Sequence, residues 1–420
     1  MGSSDKAQTD LLVAHLFRHQ AGKLVASLAR AFGSRHLDLA EDAVQDALVK
    51  ALQQWPFKGI PENPAGWLTL VARHRALDLL RRDALLADKA AQLEQAWWQM
   101  LESRCESEMD DQLALIFMCC HPALKGEWQI ALTLKTACGF STAEIARAFL
   151  TQETTIAQRL VRAKRRIREL GIPIEVPDDQ HLSLRLDSVL RVIYLLFNEG
   201  YGATQGDTLV RADLCEEAIR LGTLLINHER TRQPLVHALL ALMMLQAARL
   251  PARTHDDGTL AMLAAQDRAR WDQGLIARGL RHLRQSAAGN QLTAYHLQAE
   301  IAAIHATASS DAETNWASIA ALYDELYQLE PTPIVALNRA VALARWQGPA
   351  AGMRELDAIE QHPALRHYHL LPAVRADLWK QAGDFERAAE EYRVALACSC
   401  TEPERKFLEA QLQCVSTALA

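Results

Sequence analysis

Residues 141–166 read STAEIARAFLTQETTIAQRLVRAKRR, and this stretch decides the fold of the N-terminal part of the chain. Ser141 followed three positions later by Glu144 is a capping box, which predicts a helix start. The apolar residues of this helix share one face: Ile145, Ala146 and Phe149. A short polar turn at residues 151–153 then leads into a second helix. The stretch is therefore predicted to be a helix-turn-helix.

The second helix of this pair is predicted to be amphipathic and basic. Its inward positions are Ile156, Leu160 and Ala163, and its outward positions are Gln158, Arg159, Arg162 and Arg166. This outward face suits the major groove of DNA, where arginine can bind guanine or phosphate and glutamine can bind adenine. The alternative is a basic helix that packs on a neighbour.

An amphipathic helix with one acidic face is predicted upstream, at residues 39–55. Its inward stripe comprises Val44, Leu48, Ala51, Leu52 and Trp55, and its exposed side presents Glu41, Asp42, Gln45 and Asp46. Asn63 and Pro64 then supply an N-cap and a first helical proline for a helix that runs to Arg82. Trp67 and the arginines of this helix suit single-stranded DNA, although Trp67 could equally belong to the core.

These three segments, in this order, resemble the extracytoplasmic-function sigma factors. The resemblance covers about 170 residues and implies that the chain binds RNA polymerase core enzyme and promoter DNA. It assigns polymerase binding to Glu41, Asp42, Gln45 and Asp46. It assigns the −10 element to Trp67, Arg73, His74, Arg81 and Arg82, with the loop from Trp55 to Asn63 capturing a flipped base. It assigns the −35 element to Thr155, Gln158, Arg159, Arg162, Lys164, Arg165 and Arg166.

Charge is distributed unevenly along the 420 residues, whose formal net charge is −6. Residues 1–170 carry a net charge of +2 and the remainder carries −8. Clustered basic residues on a nearly neutral background favour an anionic polymer as partner. The longest apolar stretch, residues 235–248, is too short to span a bilayer, and no signal-peptide core is present, so we expect a cytoplasmic protein without a membrane partner.

No chemistry of an enzyme is evident in the sequence. The chain has no glycine-rich phosphate loop, nucleophile elbow or HExxH motif. The eight cysteines include no CxxC pair, so we expect reduced thiols, no metal site and no cofactor. In the block 117–124, Cys119, Cys120 and His121 are expected to pack or cap helices.

The predicted fold class is all-α, because helical spacing dominates and no stretch alternates as a strand would. A first small helical domain covers residues 1–82, with a linker at 83–108. The helix-turn-helix domain covers 109–171, and a C-terminal extension covers 182–420. In the extension, Ala340 and Ala376 are aligned by a 36-residue offset close to the tetratricopeptide period of about 34. A helical solenoid is therefore predicted, with a helical bundle without repeats as the alternative.

Three segments of the extension, 194–201, 267–272 and 337–342, resemble the sigma subgroup with a tetratricopeptide-like C-terminal domain. Asn198, Glu199 and Tyr201 form the candidate motif. Either Gly200 ends a helix in the left-handed C′ position, or the motif makes a polar contact with the sigma domains, a ligand or another protein.

The predicted function is that of a sigma factor for transcription initiation, with the extension modulating its activity and binding a protein or small-molecule effector. The extension either masks the DNA-facing clusters or holds the two small domains in a polymerase-competent arrangement, and we favour the second. The alternative functions are a one-component helix-turn-helix regulator that senses a ligand or peptide through its solenoid, and an enzyme with an N-terminal adaptor.

Overall fold

The computed structural model describes residues 20–82, 107–149, 151–202, 210–255, 259–366, 368–398 and 400–419. Contacts divide the chain into two compact units, Met1–Leu195 and Leu196–Ala420. The all-α prediction is confirmed. Over the described residues there is no β-strand, only an isolated antiparallel bridge between Thr254 and Leu260.

Eight α-helices begin among the described residues of the N-terminal unit. They are α1 (20–32), α2 (Leu37–Lys58), α3 (Pro64–Arg82), α4 (Ser107–Cys119), α5 (Gly126–Leu132), α6 (Thr142–Ala148), α7 (Glu153–Leu170) and α8 (Asp179–Tyr201). Helix α5 continues into a wider π-helical turn at Thr133–Ala137. The boundary between the two units, after Leu195, falls within helix α8, so each unit contains part of this helix.

The helix starts predicted from the sequence are confirmed. The Glu144 N–H donates to Ser141 Oγ at 3.1 Å, and the Ser141 N–H donates to Glu144 Oε2 at 2.7 Å, which completes the capping box before α6. The Gly66 N–H donates to Asn63 Oδ1 at 2.9 Å and caps α3. These contacts satisfy N–H groups that lack partners within the helix.

Helix α2 shows where the predicted inward stripe was wrong. Val44, Ala51 and Trp55 are buried, but Leu52 is 55% exposed. At 100° per residue, Leu52 lies about 80° around the helix from Val44. It therefore falls at the edge of the stripe that packs on α3, and it joins the exposed side of α2.

Ten further α-helices lie in the described part of the C-terminal unit. They are α9 (Ala212–Asn227), α10 (Pro234–Ala247), α11 (Gln273–Ser286), α12 (Ala294–Thr307), α13 (Trp316–Leu329), α14 (Pro333–Gln347), α15 (Pro349–Ile359), α16 (Leu370–Gln381), α17 (Phe385–Ala397) and α18 (Glu402–Leu419). Consecutive helices pack on each other. The turns α14–α15 and α16–α17 both use a glycine with positive φ, Gly348 at 96° and Gly383 at 83°. A Cβ on Gly352 would lie 2.8 Å from the Ala340 carbonyl oxygen, so this helix pair requires glycine for its close approach.

Helix α10 corrects the expectation that the apolar stretch is too short to span a bilayer. With the turn that follows, the helical stretch Pro234–Ala252 has 19 residues and a mean hydropathy of 1.5, long and apolar enough by these two measures. Burial argues for a different role, since 72% of its most apolar window lies inside the chain. Val236, Leu239 and Leu242 are fully buried, as expected for a core helix.

Gly200 does not end helix α8, so the predicted left-handed C′ position is wrong. Helix α8 continues to Tyr201, and Gly200 has no positive φ. A Cβ at this position would lie 2.8 Å from the Cys215 backbone nitrogen and 2.9 Å from the Arg211 carbonyl oxygen. The glycine is therefore required because the start of α9 approaches the backbone of α8 closely.

We expect Gly200→Ala to lower the free energy of unfolding by about 1–3 kcal/mol, because backbone atoms cannot rotate away from the added methyl group. Urea denaturation followed by circular dichroism measures this loss. Gly202→Ala is the matched control, since a Cβ there meets nothing within 4 Å. Equal stability of the two variants would contradict the close-approach explanation.

Candidate nucleic-acid interface

The outward face of α7 carries most of the side chains predicted to bind DNA. Gln158, Arg162, Arg165 and Arg166 are exposed, and Thr155 is half-buried near the start of the helix. Arg165 and Arg166 lie 2.7 and 3.9 Å from Glu169. Over the described part of the chain, Arg162 forms no ion pair, so its guanidinium group is available to a ligand. Val161, which the sequence analysis did not single out, is exposed on the same face.

Two of the predicted DNA-binding residues of α7, Arg159 and Lys164, are paired with acidic residues of other helices. Arg159 Nη2 lies 2.7 Å from Glu127 Oε2, at the start of α5. Lys164 Nζ lies 2.7 Å from both Asp38 Oδ1 and Glu41 Oε2 of α2, and the Lys164 side chain is only 13% exposed.

The contact between α2 and α7 is a cluster of ion pairs and hydrogen bonds. In addition to the Lys164 contacts, Arg168 Nη1 lies 2.6 Å from Asp38 Oδ2. Thr136 Oγ1 donates to Glu41 Oε1 at 2.7 Å. We call Asp38, Glu41, Thr136, Lys164 and Arg168 the α2–α7 cluster. It joins Glu41, a predicted polymerase-binding residue, to Lys164, a predicted DNA-binding residue.

The pKa shifts of the cluster show how strongly its charges are coupled. Burial lowers the pKa of Lys164, but Glu41 and Asp38 outweigh it, so the pKa is raised above 10.5. Burial raises the pKa of Asp38, but Lys164 and Arg168 outweigh it, so the pKa is lowered below 3.8. The contribution of Asp38 to stability is thus lost as pH falls through its lowered pKa. That of Lys164 is lost as pH rises through its raised pKa, so both are fully present at neutral pH.

The acidic face of α2 is only partly available to a partner. Asp42 and Gln45 are exposed, whereas Glu41 is held in the α2–α7 cluster and Asp46 Oδ2 lies 2.5 Å from Arg75 Nε of α3. Burial, followed by the nearby Asp38 carboxylate, raises the pKa of Asp42.

Two apolar residues extend this exposed face of α2. Val49 and Leu52 follow Asp42 and Gln45 at spacings of three and four residues, and both are exposed. We call Asp42, Gln45, Val49 and Leu52 the α2 strip. The sequence predicted that Leu52 faces inward, because its position lies at the edge of the apolar stripe, but the side chain is exposed.

The predicted DNA-binding residues of helix α3 differ in their exposure to solvent. Trp67 is half-buried and packs edge-on against Trp55, with ring centroids 5.6 Å apart. Arg73 is only 4% exposed, so its guanidinium group does not face solvent. His74 and Arg81 lie on the surface, and the side chain of Arg82 falls outside the described residues.

The loop before α3 is shorter than the sequence indicated. Helix α2 continues to Lys58 and includes Trp55, which leaves residues 59–63 as the connection. Gly59 begins it with a φ of 82°. Beside this loop, Phe57 is 90% exposed, and no periodicity in the sequence pointed to it.

The block at residues 117–124 packs and caps helices, as expected. Cys119 and Cys120 are fully buried, and burial raises the pKa of the Cys120 thiol to about 12. The Ala123 N–H donates to His121 Nδ1 at 3.1 Å, and Gln129 Nε2 donates to the His121 carbonyl oxygen at 2.9 Å.

The motifs of the extension make contacts within the C-terminal unit. Asn198 is half-buried, with its carbonyl oxygen accepting from the Gly202 N–H. Glu199 Oε1 lies 4.0 Å from Arg211 Nη1, and the Arg253 guanidinium lies 3.9 Å from the centre of the Tyr201 ring. In the second motif, Arg268 and the more distant Arg249 stack on Trp271, 4.7 and 5.7 Å from the ring centre. In the third, Arg339 pairs with Asp324 and Glu355.

Comparison with known proteins finds three family models along the chain. Residues 18–85 match Sigma-70 region 2, and residues 114–167 match Sigma-70, region 4. Residues 185–287 match a family of unknown function, DUF6596. An uncharacterized protein of Rhizobium meliloti (strain 1021) is 38% identical over 404 residues, which cover 93% of this chain and 94% of that protein. No solved structure gives a significant match.

Regions 2 and 4 of sigma-70 are the domains through which a sigma factor recognises promoters and starts transcription with RNA polymerase. They match the two segments whose surfaces are described above, and the helical extension follows them. The chain therefore carries the two Sigma-70 domains of a sigma factor, and it belongs to one family with the uncharacterized Rhizobium meliloti protein.

We expect Lys164→Met to lower the free energy of unfolding of the N-terminal unit by about 1–3 kcal/mol, because Glu41 and Asp38 lose their shared cation while Glu41 stays largely desolvated. Hydrogen exchange at residues 37–41 and 133–137 should accelerate. Arg165→Ala, on the exposed side of the same helix, is the control and should change stability by less than about 0.5 kcal/mol. Similar losses in both variants would mean that the α2–α7 cluster does not stabilise the unit.

Proposed function

We propose that the chain docks on RNA polymerase core enzyme through the α2 strip. The observation that carries this proposal is the continuous exposure of Asp42, Gln45, Val49 and Leu52 along one side of α2. Apolar side chains next to acidic and amide groups suit a protein partner, because burial of the apolar area supplies affinity and the charge supplies orientation. A stand-alone repressor would have no evident use for this strip.

Upstream promoter DNA is bound by the outward face of α7 in this proposal. Arg162 and Gln158 contact base edges, because they are exposed one helical turn apart. Val161 lies beside them and offers its methyl groups to a thymine. Arg165 and Arg166 bind phosphates. Their ion pairs with Glu169, at spacings of four and three residues, are easily exchanged for contacts with phosphate.

At the melted −10 element, His74 and Arg81 of α3 contact the single strand. Phe57 is the stacking surface for an unpaired base, because its ring is exposed beside the short loop at residues 59–63. Arg73 does not contact the single strand, because its side chain is buried. Trp67 supports α3 through its edge-on contact with Trp55.

The α2–α7 cluster represents a resting arrangement of the free sigma factor. Glu41 cannot bind polymerase, and Lys164 cannot bind phosphate, while the two are paired with each other. Both groups become available only when α7 separates from α2. Polymerase and promoter DNA together supply replacement partners for the charges, which offsets the cost of breaking the ion pairs.

The C-terminal extension modulates this activity and folds as a tetratricopeptide-like array. The repeated helix–glycine–helix pattern of α14–α15 and α16–α17 supports the array fold. We favour the role of holding the sigma domains over that of masking DNA contacts, because Lys164 is already covered by acids of α2. The extension offers a site for a protein or small-molecule effector, and the sigma activity places the protein in the cytoplasm.

In vitro transcription with purified core polymerase tests the docking surface. The double variant Asp42→Lys, Leu52→Asp should lose co-purification with core enzyme and promoter-dependent transcripts, because it reverses the charge and removes the apolar anchor of the α2 strip. Asp187→Lys, an exposed reversal on α8, is the control and should transcribe normally. A double variant that still assembles and transcribes would refute the proposed surface.

Selection on a library of promoters in the same transcription assay tests α7. Arg162→Ala should relax the preference at one or two base positions, with a loss of about 1–3 kcal/mol for the preferred sequence. Arg165→Ala should weaken all sequences alike and reduce the salt dependence. If Arg162→Ala leaves every base preference unchanged, Arg162 does not read bases.

A further inference from the structure

A cavity of about 160 Å³ lies within the C-terminal unit. Helices α14, α16, α17 and α18 and the segment 260–262 line it. Its walls are mainly apolar, and include Leu260, Val341, Val374, Leu378, Phe407 and Leu408. An apolar cavity of about 150 Å³ in another protein holds one benzene molecule, so this space fits a body of about six carbon atoms.

A polar pair, the buried His369 and the half-buried Glu404, forms one part of the cavity lining. His369 is 8% exposed, and its Nε2 lies 3.4 Å from Glu404 Oε1. The other carboxylate oxygen, Oε2, accepts from the Thr401 N–H at 2.8 Å and from Thr401 Oγ1 at 2.7 Å. Because 3.4 Å is long for a hydrogen bond, Glu404 Oε1 retains the capacity to accept from another donor.

The carboxyl group of Glu404 is held in its charged form. Burial raises its pKa, but the nearby His369 and the hydrogen bonds from Thr401 outweigh this effect, so the pKa is lowered. A partly buried carboxylate with a free acceptor position favours a cationic donor.

The other charged groups of the lining leave the cavity acidic. Asp377 accepts a hydrogen bond from Gln381 Nε2 at 2.7 Å, and over the described residues it has no cationic partner. Among the described lining residues, Arg345 is the only arginine, but it pairs with Asp311 and lies over the Trp316 ring at 5.0 Å. Its charge is therefore already compensated, whereas that of Asp377 is not.

The segment that closes one wall is firmly attached. Gln266 Nε2 donates to the Ala261 carbonyl oxygen at 3.0 Å, and the Ala261 N–H donates to the Arg253 carbonyl oxygen at 2.9 Å. Gln266 immediately precedes the motif at residues 267–272, in which Arg268 stacks on Trp271. The motif at residues 267–272 therefore lies next to Gln266, which holds one wall of the cavity in place. The proposed sigma function assigns no role to this motif.

We propose that this cavity binds a small primary amine whose apolar body is about the size of one aromatic ring, with its ammonium group bound by Glu404 and Asp377. Burial of the ring against the apolar walls supplies affinity, and the carboxylates select the cation. This inference gives a place and a chemical class to the small-molecule effector proposed above. Binding can be measured without polymerase, so its failure is distinct from failure of the sigma function.

Isothermal titration of the full-length chain with benzylamine tests the proposal. Benzyl alcohol, which is similar in shape but neutral, and benzoate, which is anionic, are the comparison probes. We expect benzylamine to bind with a Kd on the order of 0.1 mM, as a fragment of its size can. Benzyl alcohol should bind at least tenfold more weakly, and benzoate should not bind. Failure of benzylamine to bind, or preference for benzoate, would overturn the proposal.

Two variants place the bound amine in the cavity. Ala373→Leu fills the space from α16 and should abolish benzylamine binding. Asp377→Asn keeps the shape of an exposed side chain and should weaken benzylamine about tenfold without changing benzyl alcohol. Glu386→Gln removes an exposed carboxylate outside the lining and should leave binding unchanged. Equal benzylamine affinity in Asp377→Asn and Glu386→Gln would remove Asp377 from the site, and unchanged binding in Ala373→Leu would place the amine elsewhere.

Discussion

The ammonium group of Lys164 is the interaction on which the arrangement of the N-terminal unit depends. A lysine side chain that is 13% exposed has lost most of its hydration, and it remains charged only because Asp38 and Glu41 both contact it. Removing either helix from this contact would leave a poorly solvated charge on the other. The two small helical domains are therefore joined by electrostatics, in addition to the buried apolar residues of each domain.

This pairing also explains why a basic helix does not present all its charges to a partner. Arg162 and Lys164 are two residues apart, so they point about 200° from each other around α7. The first faces solvent and the second faces α2. A count of basic residues consequently overestimates the charge available to DNA, and the same holds for the acidic residues of α2, where Glu41 and Asp46 are paired internally.

The C-terminal unit is stabilised by close helix packing through small residues and by ion pairs between neighbouring helices. Alanine and glycine at helix crossings, such as Ala340, Gly352 and Ala376, let backbones approach closely, while Arg339 and Arg375 join neighbouring helices through acidic partners. A cavity lined by α14, α16, α17 and α18 lies among these packed helices. An interior of native density leaves few such spaces, so a cavity with an ordered carboxylate beside it is a functional candidate.

The sequence by itself determined the features that depend on neighbouring residues. The capping box at Ser141 and Glu144, the cap at Asn63 and the inward residues of α7 follow from helical periodicity and side-chain capping, which act within a few positions. The sigma-like order of the segments was also evident from sequence. Only the tertiary structure decided that Leu52 is exposed, that Arg73 is buried, that Gly200 lies within a helix and that Lys164 binds Glu41. Each of these depends on contacts between residues far apart in the chain, and no local pattern specifies which face of a helix a distant element will cover.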